Sequence, residues 1–194
     1  MRLTDCRYDR DRLRLEIAYR LIGYEVRTET IRVCTQLSAD RIRRLFRDYV
    51  RDQPQSRIRR RRGKSPRQMS FFFRTPRHEL EAAAMGSLLR ACGLLGRTMV
   101  LQRLTLEEVA RFCDVYDTFI TVHPGAVVTF EHAWYLMQVL ARDDEYALTP
   151  CTDCGALWVR DRLDLARVVC ATCRSPFELP APRQRQAVAC QDGC

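Results

Sequence analysis

Four cysteines in the C-terminal part of the chain are spaced for metal chemistry: Cys151-Thr-Asp-Cys154 and, after 15 further residues, Cys170-Ala-Thr-Cys173. Two residues between thiolates bend the backbone into a knuckle whose sulfurs face one ion, and two knuckles close a tetrahedron. Cys151, Cys154, Cys170 and Cys173 are therefore predicted to hold one structural Zn2+. Four thiolates leave no open coordination position, so catalysis at this metal is not expected. Iron on the same thiolates and a pair of disulfides are the rival uses, the latter disfavoured in a reducing compartment. The segment is too short to build a core of its own, so the ion would serve as its staple.

The second chemistry is cationic. Residues 41–67 hold eleven arginines and one lysine against Asp48 and Asp52, a net of +10; with +9 for the whole chain, the rest sums to −1. A near-neutral body thus carries one dense basic segment, which attracts a polyanion. Arg57 to Lys64 reads RIRRRRGK, with one Ile and no apolar face for a membrane-lying helix. Nucleic acid is the expected partner. Arginine outnumbers lysine 32 to one throughout, so the choice of Arg within the block adds nothing to this argument.

Helices must position these groups. Leu13, Ile17 and Leu21 repeat at helical spacing up to Tyr24, with Gly23 as a candidate cap. Val26, Ile31 and Val33 suit a short helix, Thr35-Gln36-Leu37 a connector, and Ser38 an N-cap for a helix reaching about Arg51. There Ile42, Leu45, Phe46 and Tyr49 share one face, and Arg43, Arg44, Arg47 and Arg51 the opposite one. This is the layout of a helix-turn-helix, whose second helix enters the major groove. Those four arginines are the candidate DNA readers. Residues 52–68 form a basic arm in which Arg57, Arg59, Arg60, Arg61, Arg62 and Lys64 would bind phosphates.

Phe71, Phe72 and Phe73 should plug the core. An Ala- and Leu-rich helix is expected from His78 to about Leu101, kinked or divided by Gly86, Gly93 or Gly96. Thr105 and Glu108 form a capping box for a helix ending before Pro124; a last helix spans 127–142, with Phe130, Ala133, Trp134, Met137 and Ala141 as its apolar stripe. Leu157–Val159 and Val168–Val169 are the expected strands of the cysteine module. The fold class is mainly α: a helical DNA-binding and partner-binding domain over 1–149, a zinc-ribbon-like module over 150–180, and a flexible tail over 181–194 carrying Cys190 and Cys194. Cys6, Cys34, Cys92 and Cys113 are expected in the core.

Nucleotide-binding glycine loops, the G-x-S-x-G elbow and the H-E-x-x-H motif are missing, so no enzyme is expected. The histidines are His78, His123 and His132, and the acidic run Asp143-Asp144-Glu145 reads as a solvated helix end. The longest uncharged stretch, Thr118–Phe130, is 13 residues and contains Pro124 and Gly125, which excludes a membrane helix there. The mixed-charge start MRLTDCRYDRDR is unlike a secretion signal, and a cytoplasmic location is expected.

Three blocks in order, LIGYEVRTETIRVCTQLSADRIRRLFRDYV, FEHAWYLMQVLARDDEYALTPC and CTDCG…CATC, resemble the FlhC family, zinc-containing subunits of bacterial flagellar master activators. The resemblance spans about 90% of the chain. It implies a cytoplasmic DNA-binding activator acting with an FlhD-type partner, in a heterohexamer, on RNA polymerase at σ70-dependent flagellar promoters. It also implies one zinc on Cys151, Cys154, Cys170 and Cys173. The RIRRRRGK run, the Phe block and the cysteine-bearing tail depart from the family pattern. The alternative is an RNA-binding zinc-ribbon protein using the arm on RNA backbone.

Overall fold

The computed structural model describes residues 3–52, 58–95, 104–165 and 169–174. It is mainly helical, with one small sheet beside the cysteine cluster. Helix α1 (Leu3–Gly23) buries Ile17, Ala18, Leu21 and Ile22. Its cap is not Gly23. Glu25 takes the left-handed conformation (φ 57°), and Val26 N–H reaches Leu21 O at 3.0 Å while Glu25 N–H reaches Ile22 O at 2.9 Å, a Schellman ending. Gly23 serves packing instead: a Cβ there would lie 3.3 Å from the Tyr49 hydroxyl.

Helix α2 (Thr28–Thr35) buries Thr30, Ile31, Cys34 and Thr35. Val33, expected on the buried face, is exposed, because two residues from Ile31 is more than half a turn away. The connector is built by Gln36 (φ 58°) and by Thr35, whose hydroxyl donates to Ile31 O at 2.7 Å and accepts from Leu37 N–H at 3.3 Å. Ser38 Oγ then accepts from Arg41 N–H at 3.3 Å, starting α3 (Ala39–Asp52) as its cap. Ile42 is buried, and Leu45, Phe46 and Tyr49 pack half-buried against the core.

After the arm, a 3-10 turn (Met69–Phe73) buries Met69 and Phe72. Helix α4 (Pro76–Ala91) starts with Thr75 as cap and proline at its first position. It ends about ten residues earlier than composition suggests. Gly93 (φ +69°) makes a second Schellman ending, with Leu94 N–H on Leu89 O at 2.9 Å and Gly93 N–H on Arg90 O at 3.1 Å. Residues 96–103, including Gly96, lie outside the described residues. Cys34 and Cys113 are buried as expected, but Cys92, just past α4, is exposed. The Cys6 side chain, Cys190 and Cys194 lie outside the described residues.

Helix α5 (Leu106–Val122) carries the expected capping box: Glu108 Oε2 accepts from Thr105 N–H at 2.8 Å, and Thr105 Oγ1 from Glu108 N–H at 3.2 Å. Helix α6 (Phe130–Arg142) begins three residues later than expected, because buried Glu81 of α4 takes the N–H groups of Val127 and Val128 (2.8 and 3.0 Å) into a non-helical loop. Phe112, Tyr116, Phe130 and Trp134 interlock edge-to-face and stacked at the centre.

Strands β1 (Tyr146–Pro150) and β2 (Leu157–Asp161) pair antiparallel, with Leu148 opposite Val159 and Thr149 opposite Trp158. The expected strand at 168–169 is not the partner: Val169 is outside any strand and Val168 lies outside the described residues. The first knuckle is itself the hairpin turn, so its arms are the residues on either side of it. Leu148 and Val159 belong to the main core, and a short helix α7 (Ala171–Arg174) completes the module.

Gly86 does not kink α4; it lets β1 approach. A Cβ there would sit 2.8 Å from Leu148 Cδ2 and 3.3 Å from Leu140 Cδ1. Gly86→Val should therefore lower the urea midpoint, costing about 1–3 kcal/mol of overpacking. An unchanged midpoint would show that the hairpin does not seat there.

Candidate metal centre and basic surface

The hairpin turn forms the first half of the centre. Cys151 N–H binds Ala156 O and Gly155 N–H binds Cys151 O, both at 2.9 Å, with Gly155 at φ +73°. That loop turns Cys151 and Cys154 to one side. Cys170 and Cys173 come from the start of α7. The four Sγ atoms lie within 4.8 Å of one another, and Cys154 and Cys170 are 3.7 Å apart. A tetrahedral ion with metal–sulfur bonds of about 2.3 Å separates its sulfurs by roughly 3.8 Å. The cluster therefore fits a metal ion, and the sulfur spacing is far beyond a disulfide bond.

Backbone donors prepare the sulfurs. Cys151 Sγ accepts from Cys170 N–H at 3.3 Å, and Cys170 Sγ from Cys173 N–H at 3.4 Å. The Cys170 amide, foremost, pulls the Cys151 thiol down to about 6. The Cys173 thiol is instead pushed up by hydrogen bonding to its neighbours Cys154 and Cys170. Crowded sulfurs resist collective ionisation, and a divalent cation at their centre removes that conflict. The module is tied to α4 from outside: Arg174 stacks over buried Trp158 at 4.8 Å and pairs with Glu79.

On the basic side, Arg43, Arg44 and Arg47 of α3 are exposed. Arg43 pairs with Asp40 at 2.5 Å, whereas Arg44 and Arg47 have no ion-pair partner among the described residues. The backbone of Arg51 belongs to α3; its side chain, and all of Arg57, lie outside the described residues. The arm from Ile58 onward is docked on the body. Glu25 accepts from Arg59 N–H and from Arg61 Nε, each at 3.0 Å, and those two donors hold its carboxyl below the usual range. Arg60 donates to Thr28 Oγ1 at 3.2 Å, and Arg62 offers its carbonyl to Arg27 Nε at 3.4 Å. The side chains of Arg59, Arg62 and Lys64 make no ion pair among the described residues.

A buried carboxylate closes the arm. Glu131 of α6, 5% exposed, accepts from the Arg27 guanidinium, Arg27 N–H (3.3 Å), Thr30 Oγ1 (2.9 Å) and Ser65 Oγ (3.0 Å). Beside it His132 Nδ1 accepts from Thr129 N–H at 3.3 Å, and its ring stacks on Phe71 at 3.7 Å. Burial first, then Arg27, Arg61, Arg74 and His78, depress His132 to about 4. Glu25, Ser65 and Glu131 are absent from the sequence reading. Only the acid in the first turn of α6 was a usable signal, and it points to a helix cap rather than to the arm.

No helix among the described residues is long and apolar enough to cross a membrane. No protein-family model matches the chain. No curated protein matches it either.

Two outcomes follow from these geometries. Stoichiometric metal, about one ion per chain, should be found on purification; a strong chelator should abolish the tertiary signals of Trp158 and α7 while the β1–β2 pairing and most helical ellipticity survive. Ellipticity collapsing wholesale, or tertiary signals unmoved by chelation, would contradict this. Separately, His132 is neutral when folded and has an ordinary imidazole pKa when unfolded, so the unfolded chain binds more protons between about pH 6.5 and 4. Unfolding free energy should fall as pH drops through that window, and less steeply in His132→Gln, which keeps a cap acceptor. Equal slopes in both proteins would remove His132 from the account.

Proposed function

We propose that this chain is a DNA-binding subunit of a transcription activator of the FlhC type, holding one structural zinc on Cys151, Cys154, Cys170 and Cys173. The observation that carries the reading is the convergence of two basic elements at one end of α1. Tyr49 of α3 packs on Gly23 and Tyr19, and Glu25, two residues past Gly23, anchors the arm. In this reading α2, its connector and α3 act as a helix-turn-helix: α3 enters the major groove with Arg43, Arg44, Arg47 and Arg51, and the arm lies on adjacent phosphates. The four-thiolate centre has a structural role. Activation would involve an FlhD-type partner and RNA polymerase in the cytoplasm, as the three-block resemblance suggests.

With roughly eight phosphates neutralised, log affinity for duplex DNA should fall with log salt at a slope near −7. Arg44→Ala with Arg47→Ala should relax sequence preference. Arg59→Ala with Arg62→Ala should weaken all duplexes alike and make the slope about two units shallower. A slope between about 0 and −2 would take the basic segment out of the interface. Tighter binding to structured RNA than to duplex DNA would favour an RNA-binding zinc-ribbon protein instead.

A further inference from the structure

Between the arm and the 3-10 turn lies an open groove of about 990 Å³. Its two sides differ in chemistry. Pro66 and the Phe71–His132 pair, whose rings stack on each other at 3.7 Å, make an apolar, aromatic floor, while Lys64, Arg67 and Arg74 line the groove with cations. The three cations are exposed, and none has an ion-pair partner among the described residues; Arg74 only overhangs the Phe71 ring at 5.4 Å. The opposing acid, Glu29, is already paired with Arg32 at 3.0 Å. Unspent positive charge is therefore concentrated beside apolar and aromatic groups.

His132 adds a polar handle. Its Nδ1 lies 3.3 Å from the Thr129 N–H and 2.8 Å from the Thr129 hydroxyl; when it accepts from both, the neutral ring carries its proton on Nε2. That N–H has no hydrogen-bond partner among the described residues. Burial is the larger cause of the depression of His132, and Arg27, Arg61, Arg74 and His78 add positive potential at its ring. A cation is disfavoured there and an anion is drawn in.

We propose that this groove binds a nucleoside monophosphate, its base packed against Pro66 and the outer side of the stacked Phe71–His132 pair and its phosphate held by Lys64, Arg67 and Arg74. Inorganic phosphate would leave the aromatic floor unused, and an uncharged nucleoside would leave the cations unpaired. A planar anion satisfies both sides at once. This site lies outside the arginine face of α3 but shares Lys64 with the arm, so its test is read through Arg67 and Arg74.

The test uses the full metal-loaded chain. Calorimetric titrations are run with adenosine 5′-monophosphate, adenosine, inorganic phosphate and a short single-stranded oligonucleotide, with His132 ring signals followed by NMR. The monophosphate should bind at least about tenfold more tightly than adenosine or phosphate, and shift the His132 ring signals. Arg67→Ala with Arg74→Ala should weaken it by about tenfold or more, at unchanged circular dichroism and melting temperature. Arg44→Ala with Arg47→Ala, which lies outside the groove, should leave it intact. Three results would overturn the assignment: phosphate binding as tightly as the monophosphate, no binding of any probe at millimolar concentration, or an oligonucleotide much tighter than the monophosphate through the same two arginines. The last would assign the groove to a passing strand.

Discussion

One carboxylate, buried in α6, organises the polar architecture. Glu131 gathers the Arg27 guanidinium and amide, the Thr30 hydroxyl and the Ser65 hydroxyl, so the start of α2 and the end of the arm meet at one negative charge. A buried carboxylate is costly unless its acceptor sites are filled, and here two elements are required to fill them. A segment as cationic as RIRRRRGK would otherwise repel itself away from the body. Glu25 repeats the device at the other end of the arm with Arg59 and Arg61. Two acids thus hold a basic strap in place while leaving Arg59, Arg62 and Lys64 without ion-pair partners among the described residues.

The metal cluster follows a different logic. Its hairpin is not self-standing, because Leu148 and Val159 sit in the main core and Gly86 is bare to receive Leu148. Only the small cluster around Cys151, Trp158, Cys170 and Ala171 relies on the thiolates, with Arg174 reaching to Glu79 on α4. An ion here would fix the last turn of an element that the body already holds.

Local chemistry was readable where one short interaction decides the structure. The Thr105–Glu108 box, the Ser38 cap, the α3 apolar face and the four-cysteine spacing depend on residues a few positions apart, and each stands as expected. What escaped depends on backbone conformation or on distant partners. The ends of α1 and α4 are set by left-handed residues, and only one of them, Gly93, is a glycine; Glu25 adopts that conformation while its carboxylate holds the arm. The strand partner of 157–161 is the stretch before Cys151, because the knuckle itself turns the chain. The pairing of Glu131 with Ser65 spans 66 residues and has no local signature.

The central claim is that α3 and the anchored arm form one surface that meets nucleic acid. Hydrogen exchange of the full metal-loaded chain, with and without duplex DNA, tests it most directly. The account predicts slowed exchange across 39–52 and 58–67 on binding, with 106–122 unchanged. Protection confined to 146–174, with the basic segment exchanging as in the free protein, would contradict it.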